Sequence, residues 1–189
     1  MNIRFSRFID AVNDVIAKES DEVVIIEGVK PALAALIAHD DWLPDQYAVP
    51  HPQFYQQYLL YCDPAERYCV VSFVWGPGQK TPIHDHTVWG LIGMLRGAET
   101  GTRFSVSGEG CAPVPGEQLR LERGQIDTVS PSIGDVHRVV NAFDDRTSIS
   151  IHVYGANIGK VKRHVFDAET GWPKEFVSGF SEPAASPRI

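Results

Sequence analysis

The chain has 189 residues, of which 43% are hydrophobic and 22% charged, and its formal net charge at pH 7 is -7. A chain of this length is expected to form one domain, and its core is large enough to need no disulfide bonds. The acidic balance argues against nucleic acid or an anionic membrane as a partner, because both require a basic surface.

The three cysteines, an odd number with no C-x-x-C pair, indicate free thiols in a reducing compartment. The first residues lack the long apolar core of a secretory signal, and no apolar run reaches the length of a membrane span. We therefore expect a cytoplasmic enzyme or binding module.

The N-terminal part, residues 1–45, has a helical pattern. Phe5, Ile9 and Val12 recur at the spacing of one helix face. A second helix is predicted to begin near Pro31, because proline suits the first helical turn. These helices are predicted to cap a core that lies elsewhere in the chain.

The residues from about 50 to 170 have a different pattern, which predicts a β-barrel or sandwich. Short runs rich in β-branched and aromatic residues alternate with Gly, Pro and Asp. These runs are YCVVSFVWG, HTVWGLIGML, VHRVVNAF and TSISIHVYG. The last segment, 181–189, is predicted to be a loose tail. The whole chain, 1–189, is thus predicted to be one mainly β domain with N-terminal helices.

Three histidines form a candidate metal site. His84 and His86 are two residues apart, so on a strand their side chains point to the same face. His137 lies in another strand-like run, GDVHRVVN. Three imidazoles from neighbouring strands would leave coordination positions open, which suits a catalytic metal better than a closed structural one.

The residues around these histidines resemble the two sequence motifs of the cupin superfamily, whose fold is a jelly-roll-like β-barrel. The motif residues are Gly78, His84 and His86, then Pro131, Gly134, His137 and Asn141. Gly90 stands where most cupins have a metal-binding glutamate. Three neutral ligands would leave Fe(II) with its full charge and favour an anionic thiolate. Zinc or nickel could occupy the same ligands, so these residues alone do not fix the metal.

The run TSISIHVYG places Ser150, His152 and Tyr154 on one face of a strand and aliphatic residues on the other. A polar face of this kind usually points to solvent. In a barrel with a metal inside, it can point inward instead. Ser150 could then bond His152, and His152 could bond Tyr154, whose hydroxyl would act beside the metal as an acid, base or oxygen-orienting group.

With these residues, the chain resembles the cysteine dioxygenase family over about residues 55–165. The resemblance implies a cupin barrel with N-terminal helices and a reaction that adds both atoms of O₂ to a thiol sulfur, giving a sulfinate. It also implies Fe(II) ligation by His84, His86 and His137. The implied roles of Ser150, His152 and Tyr154 are to orient the reacting groups, and the implied partners are a small thiol and O₂.

Two positions depart from the mammalian type of this family. Gly90 replaces a cysteine that is cross-linked to the tyrosine, and Gln57 replaces a carboxylate-binding arginine. Glutamine cannot form the charged bidentate pair that arginine forms. These departures resemble the bacterial branch that prefers 3-mercaptopropionate, in which an arginine after the tyrosine holds the carboxylate. Arg163 matches that place, although Lys160, Lys162 and Arg163 could also form a solvated basic turn.

Several alternatives stay open from the sequence. The thiol could be 3-mercaptopropionate, L-cysteine, mercaptosuccinate or cysteamine. The chain could also be another metal-dependent cupin enzyme, such as an isomerase, or a non-catalytic cupin that binds a small molecule. A binding module has no need of the Ser–His–Tyr face, so that face favours an enzyme. The sequence gives no indication of oligomeric state.

Overall fold

The computed structural model describes residues 2–108 and 110–183. These residues form helices α1 (Ile3–Ile16) and α2 (Glu22–Ile37), a short 3-10 helix (Asp45–Tyr47) and eleven strands. The strands are β1 (Gln56–Cys62), β2 (Cys69–Trp75), β3 (Ile83–His84), β4 (Gly90–Arg96), β5 (Ala98–Ser105), β6 (Val114–Glu122), β7 (Ile126–Val129), β8 (His137–Asn141), β9 (Ser148–Tyr154), β10 (Arg163–Phe166) and β11 (Pro173–Phe176).

The strands form two antiparallel sheets that enclose a barrel interior. The five-stranded sheet has the order β1-β2-β9-β4-β7, and the six-stranded sheet has the order β11-β10-β3-β8-β5-β6. The prediction of a mainly β chain with N-terminal helices is confirmed. The sheets are joined across the interior by side chains, including the bond from Ser150 on β9 to Glu99 on β5.

The two helices pack on the outer face of the five-stranded sheet. Their buried residues share one apolar cluster with Ile149, Ile151 and Val153, the aliphatic face of β9. A side chain at Gly93 would lie 3.1 Å from Leu33 of α2, so glycine there permits the close approach of helix and sheet. The other face of β9 is therefore left for the barrel interior. Neither helix of the described residues is long and apolar enough to cross a membrane.

The prediction that the second helix begins near Pro31 is wrong, because α2 begins at Glu22. Asp21 is the N-cap, and its carboxylate accepts hydrogen bonds from the backbone N–H groups of Val23 and Val24. Pro31 lies inside the helix. The β-branched residues of the first turns hid the start, since their intrinsic helix propensity is low and burial of Ile25 and Ile26 compensates for it.

The segment after β11 docks against the barrel. The backbone N–H of Ser181 donates to the carbonyl of Gln57 over 2.9 Å, and that of Gly179 donates to Gly159 over 3.0 Å. Of the tail predicted for 181–189, residues 184–189 lie outside the described residues. The backbone N–H of Gln57 donates to Ser181 Oγ, so two hydrogen bonds join Ser181 to Gln57 of β1.

Candidate metal centre

The structure brings His84, His86 and His137 together inside the barrel. His84 on β3 and His137 on β8 are direct cross-strand partners, and His86 follows two residues after the end of β3. One ligand nitrogen from each residue lies within 4.8 Å of the other two. All three side chains are buried. A three-histidine group that fits iron binding is therefore present.

Hydrogen bonds at the outer nitrogens orient two of these rings. His84 Nδ1 lies 3.1 Å from the carbonyl oxygen of Pro82, and His86 Nδ1 lies 2.9 Å from Asp135 Oδ1. Each oxygen accepts a hydrogen bond, so Nδ1 carries the proton and Nε2 keeps its lone pair. A free Nε2 is what a metal-binding imidazole needs.

Burial also keeps His84 and His137 neutral. Desolvation, with a smaller contribution from the neighbouring imidazoles, lowers the pKa of His84 to about 3. The same causes hold the pKa of His137 well below its usual value. Neutral imidazoles at neutral pH do not have to lose a proton before they bind a metal.

Asp135 is a site residue that the sequence reasoning missed. Its oxygens accept hydrogen bonds from the backbone N–H of His86 over 3.0 Å and from that of Thr87 over 2.8 Å, in addition to the His86 ring. Burial opposes ionisation of this carboxyl, but these hydrogen bonds outweigh it and lower its pKa. Thr87 has a φ of 59°, so the bonds hold a strained turn in place. The available signal was its position two residues before His137.

We expect Asp135→Asn to weaken metal affinity about 10- to 100-fold, the usual cost of losing an outer partner of a histidine ligand. The amide keeps the shape of the side chain but removes its charge and half of its acceptors. Affinity is measured by competition with a chelator, for Fe(II) and Zn(II). Asp145→Asn is the control, because Asp145 is exposed and pairs with Arg146. Equal affinities of the two variants would show that Asp135 does not orient His86.

The polar face of β9 points into the barrel. Ser150 Oγ lies 2.8 Å from His152 Nε2, and His152 Nδ1 lies 2.8 Å from the Tyr154 hydroxyl. All three side chains are buried. The Tyr154 ring stacks on the His86 ring with 5.4 Å between centroids, so this hydrogen-bonded run ends beside the three histidines.

Two partners of Ser150 were also missed from the sequence. Ser150 Oγ lies 2.9 Å from Glu99 Oε2, and Trp75 Nε1 donates to Ser150 Oγ over 3.1 Å. Glu99 is on β5 of the opposite sheet and is fully enclosed, with 2% of its surface exposed. Its run, RGAET, has no local pattern that would single out a site residue.

Gly90 makes room for Tyr154. The two residues are direct cross-strand partners on β4 and β9. A Cβ at position 90 would lie 2.9 Å from Tyr154 Cδ1 and 3.0 Å from Val129 Cγ2. Any side chain at position 90 would therefore push the Tyr154 ring and its hydroxyl away from His86 and His152.

A cavity of about 270 Å³ opens beside His84 and Tyr154. Its volume is close to the lower end of ligand sites, about 300–1,000 Å³, which suits a small molecule. Its lining combines aromatic and aliphatic walls with a few polar groups. The lining residues are Tyr55, Gln57, Phe73, Thr81, Pro82, His84, Tyr154, Arg163, Val165, Lys174, Phe176 and Ser178.

Arg163 lies in this cavity and not in a solvated basic turn. It is the first residue of β10 and is 4% exposed. Its Nη2 donates to Ser178 Oγ over 2.7 Å, and its guanidinium lies 4.7 Å from the centre of the Phe176 ring. Its buried Nε has no hydrogen-bond partner within residues 2–108 and 110–183. Lys160 and Lys162 are exposed and pair with Glu66 and Glu175.

Gln57 also borders the cavity, but its amide is already engaged. Its Nε2 donates to the carbonyl of Gly179 over 2.8 Å. The side chain therefore ties β1 to the segment that follows β11. Its amide oxygen and its second amide hydrogen are the groups that it can offer to a ligand.

A family model described as cysteine dioxygenase type I matches residues 11–167, well over half of the chain. The chain belongs to this family. Cysteine dioxygenases are metal-dependent cupin thiol dioxygenases, so an oxidoreductase that acts on a small thiol with O₂ is indicated. The family match and the two antiparallel sheets confirm the predicted cupin fold.

Several solved structures are similar to this chain at low sequence identity. An uncharacterized conserved protein with a double-stranded beta-helix domain from Klebsiella pneumoniae is 16% identical, with a TM-score of 0.48, over 72% of this chain and 97% of that one. A cupin superfamily protein from Desulfitobacterium hafniense is 12% identical, with a TM-score of 0.46, over 63% and 94%. A Cupin 2 conserved barrel domain protein from Salinispora arenicola is 16% identical, with a TM-score of 0.44, over 63% and 90%.

Proposed function

We propose that this protein is a non-haem Fe(II) thiol dioxygenase that oxidises 3-mercaptopropionate with O₂ to the sulfinate. The observation that carries the proposal is the shared cavity of His84, Tyr154 and Arg163. A metal ligand, a hydroxyl and a buried cation around one small space match the three parts of the reaction, which are the thiol sulfur, the oxygen and the carboxylate.

The donor set fits iron in a cupin. His84, His86 and His137 are the proposed ligands, and each offers one ligand nitrogen within 4.8 Å of the other two. Fe(II) bound there would supply the redox chemistry that joins O₂ to a thiol sulfur. The protein supplies the binding groups around it, and its buried aromatic walls exclude water.

Arg163 is the proposed carboxylate-binding residue. Its Nε is buried without a partner among the described residues, and a substrate carboxylate would satisfy it. A guanidinium and a carboxylate form short, charge-assisted hydrogen bonds. Ser178 and Phe176 contact the guanidinium, which fixes its orientation before the substrate arrives.

The cavity lining favours 3-mercaptopropionate over L-cysteine. The two differ by the α-amino group of cysteine, which is a cation in the free amino acid at neutral pH. No Asp or Glu is among the described residues that line the cavity, so an ammonium group would find no counter-charge there. It would also be placed in the same small space as the Arg163 guanidinium, which repels it.

Mercaptosuccinate is the second candidate, and Lys174 is the observation that favours it. Lys174 lines the same cavity as Arg163 and adds a second positive charge. Mercaptosuccinate has one more carboxylate than 3-mercaptopropionate. A cavity with two cations could therefore hold both of its carboxylates.

Tyr154 is the proposed group that orients the substrate and O₂. Its hydroxyl is fixed by His152, and burial raises the pKa of Tyr154 far above its usual value, so the phenol stays protonated. A neutral hydroxyl next to the cavity can donate a hydrogen bond to an anionic ligand. Ser150 and His152 are proposed to hold it in position.

We expect Tyr154→Phe to retain iron while its turnover falls about 100-fold or more, the range seen when a positioned acid or base is lost. Phenylalanine keeps the ring that stacks on His86 and removes the hydroxyl alone. Iron content and turnover are measured on the same sample. Tyr58→Phe is the control, since its hydroxyl bonds the carbonyl of Val49 outside the cavity. An unchanged rate in Tyr154→Phe would remove this hydroxyl from the mechanism.

The experiment that tests the proposed function is O₂ consumption by the anaerobically Fe(II)-loaded protein. 3-Mercaptopropionate, L-cysteine and mercaptosuccinate are offered separately, and the sulfinate product is identified by mass. We expect the highest kcat/KM with 3-mercaptopropionate. Preference for mercaptosuccinate would favour the role of Lys174, and preference for cysteine would contradict the substrate assignment. No uptake with any thiol would contradict the dioxygenase proposal itself.

A further inference from the structure

A continuous chain of hydrogen bonds crosses the barrel interior from the six-stranded sheet to the cavity. It runs from Glu99 to Ser150 over 2.9 Å, from Ser150 to His152 over 2.8 Å, and from His152 to Tyr154 over 2.8 Å. All four side chains are buried, with at most 3% of any of them exposed. The chain begins at a carboxyl group in one sheet and ends at the hydroxyl beside the cavity.

The inner links of this chain are neutral. Desolvation, with smaller effects of His86 and His84, holds the pKa of His152 well below its usual value. One of its two ring nitrogens therefore carries a proton and the other accepts. Ser150 has one hydroxyl hydrogen and also accepts from Trp75 Nε1. Each link can thus hold one hydrogen, and the hydrogens can be ordered in two ways.

The two orders differ in what Tyr154 can do. If Glu99 is ionised, it accepts from Ser150, Ser150 accepts from His152 Nε2–H, and the Tyr154 hydroxyl donates to His152 Nδ1. If Glu99 is protonated, every bond reverses, and Nδ1–H donates to the Tyr154 oxygen. The Tyr154 hydrogen is then free to point into the cavity. Both orders satisfy every group in the chain.

We propose that Glu99 is a positioning residue that sets the direction of this chain, and that its protonated form frees the Tyr154 hydroxyl to donate to an anionic ligand in the cavity. The identity of that ligand as a thiol carboxylate rests on the proposed function. The reversal of the chain does not, because it involves only Glu99, Ser150, His152 and Tyr154.

The surroundings of Glu99 allow the change to occur near neutral pH. Burial raises the pKa of Glu99 to about 7. The hydrogen bond from Ser150 lowers this pKa, the negative charge of Asp127 raises it, and Trp75 lowers it. Asp127, on β7, is itself paired with Arg103 over 2.8 Å. Asp127 is the charged group that acts on Glu99, and His152 and Tyr154 are the titratable groups that its chain of hydrogen bonds reaches.

The direct test is the tautomer of His152, read by nitrogen NMR on the full-length protein loaded with diamagnetic Zn(II). We expect the proton to be on Nδ1 at low pH and on Nε2 at high pH, with a midpoint near the Glu99 pKa of about 7. Infrared spectra should show the band of a protonated carboxyl lost with the same midpoint. In Glu99→Gln, both changes should be absent from about pH 5.5 to about pH 9.

Two further variants separate a switch from a merely structural role. Asp127→Asn removes a nearby negative charge, so it should move the midpoint to lower pH and keep the reversal. Ser150→Ala should keep the infrared change of the Glu99 carboxyl and abolish the tautomer change of His152. This variant therefore tests the chain of hydrogen bonds even if Glu99→Gln does not fold. A His152 tautomer that does not change with pH in the native protein would overturn the inference.

The functional test is the KM for 3-mercaptopropionate as a function of pH. We expect the KM of the native protein to rise about tenfold relative to that of Glu99→Gln as pH increases through 7, because an ionised Glu99 takes the Tyr154 hydrogen away from the anionic substrate. The kcat of the native protein should fall over the same pH range, because the Tyr154 hydroxyl is the group whose loss is expected to lower turnover. A tautomer change without thiol oxidation would support this inference and contradict the proposed function. Thiol oxidation with one pH profile for both proteins would overturn the inference and leave the function.

Discussion

His86→Ala is expected to abolish iron retention while the chain remains folded. The substitution removes one of three ligand nitrogens and leaves Asp135 without the ring that it orients. Loss of an outer partner costs about 10- to 100-fold in metal affinity, and we expect the loss of a ligand to exceed that range. Iron content per chain is measured after desalting, together with the circular dichroism spectrum and the thermal midpoint.

The control for this result is His39→Ala, since His39 is exposed and lies after α2, outside the barrel interior. We expect it to keep the iron content and turnover of the unmodified protein. Zn(II) affinity, measured in parallel, reports on the ligands without any activity assay. Full iron occupancy and normal turnover in His86→Ala would refute the ligand assignment.

Arg163→Met is expected to raise the KM for 3-mercaptopropionate about 10- to 100-fold. A hydrogen bond to a charged group contributes about 1.5–3 kcal/mol, and each 1.4 kcal/mol corresponds to about a factor of ten. Methionine has a similar length and can still pack on Phe176, so the cavity wall is retained. The methyl ester of the substrate lacks the carboxylate charge, so its KM should rise much less in Arg163→Met.

The measurement is the ratio of kcat/KM for the acid to that for the ester, which cancels general damage to the site. Lys162→Met is the matched control, because Lys162 is the preceding residue and its ammonium group is exposed and paired with Glu175. We expect this control to leave the ratio unchanged. A ratio in Arg163→Met equal to that of the unmodified protein would contradict carboxylate binding by Arg163.

The parts of the site that could be predicted from the sequence depend on short-range geometry. The strand period of two places Ser150, His152 and Tyr154 on one face, and the 2.8 Å contacts between neighbours in this run agree with it. The H-x-H spacing also brings His84 and His86 to one site, although His86 lies two residues past the end of β3. Both patterns are fixed by backbone geometry over a few residues and do not depend on what packs around them.

The residues that were missed act across long distances in the chain. Asp135 reaches His86 from 49 residues away, and Glu99 reaches Ser150 from 51 residues away. A single acidic residue such as Glu99 has no local sign that it will be buried. The start of α2 was missed for a related reason, because the packing of Ile25 and Ile26 offsets the low helix propensity of its first turns.

By itself, the sequence determined the mainly β barrel with N-terminal helices and the family, because hydrophobic period, turn residues and motif spacing are local properties of the chain. The tertiary structure decided where the polar face of β9 points, since helices α1 and α2 cover the aliphatic face and leave the interior to Ser150, His152 and Tyr154. It also separated Arg163 from its two neighbouring lysines, which are exposed and paired. Burial and cross-sheet contacts arise only when distant strands pack together, so no local pattern could determine them.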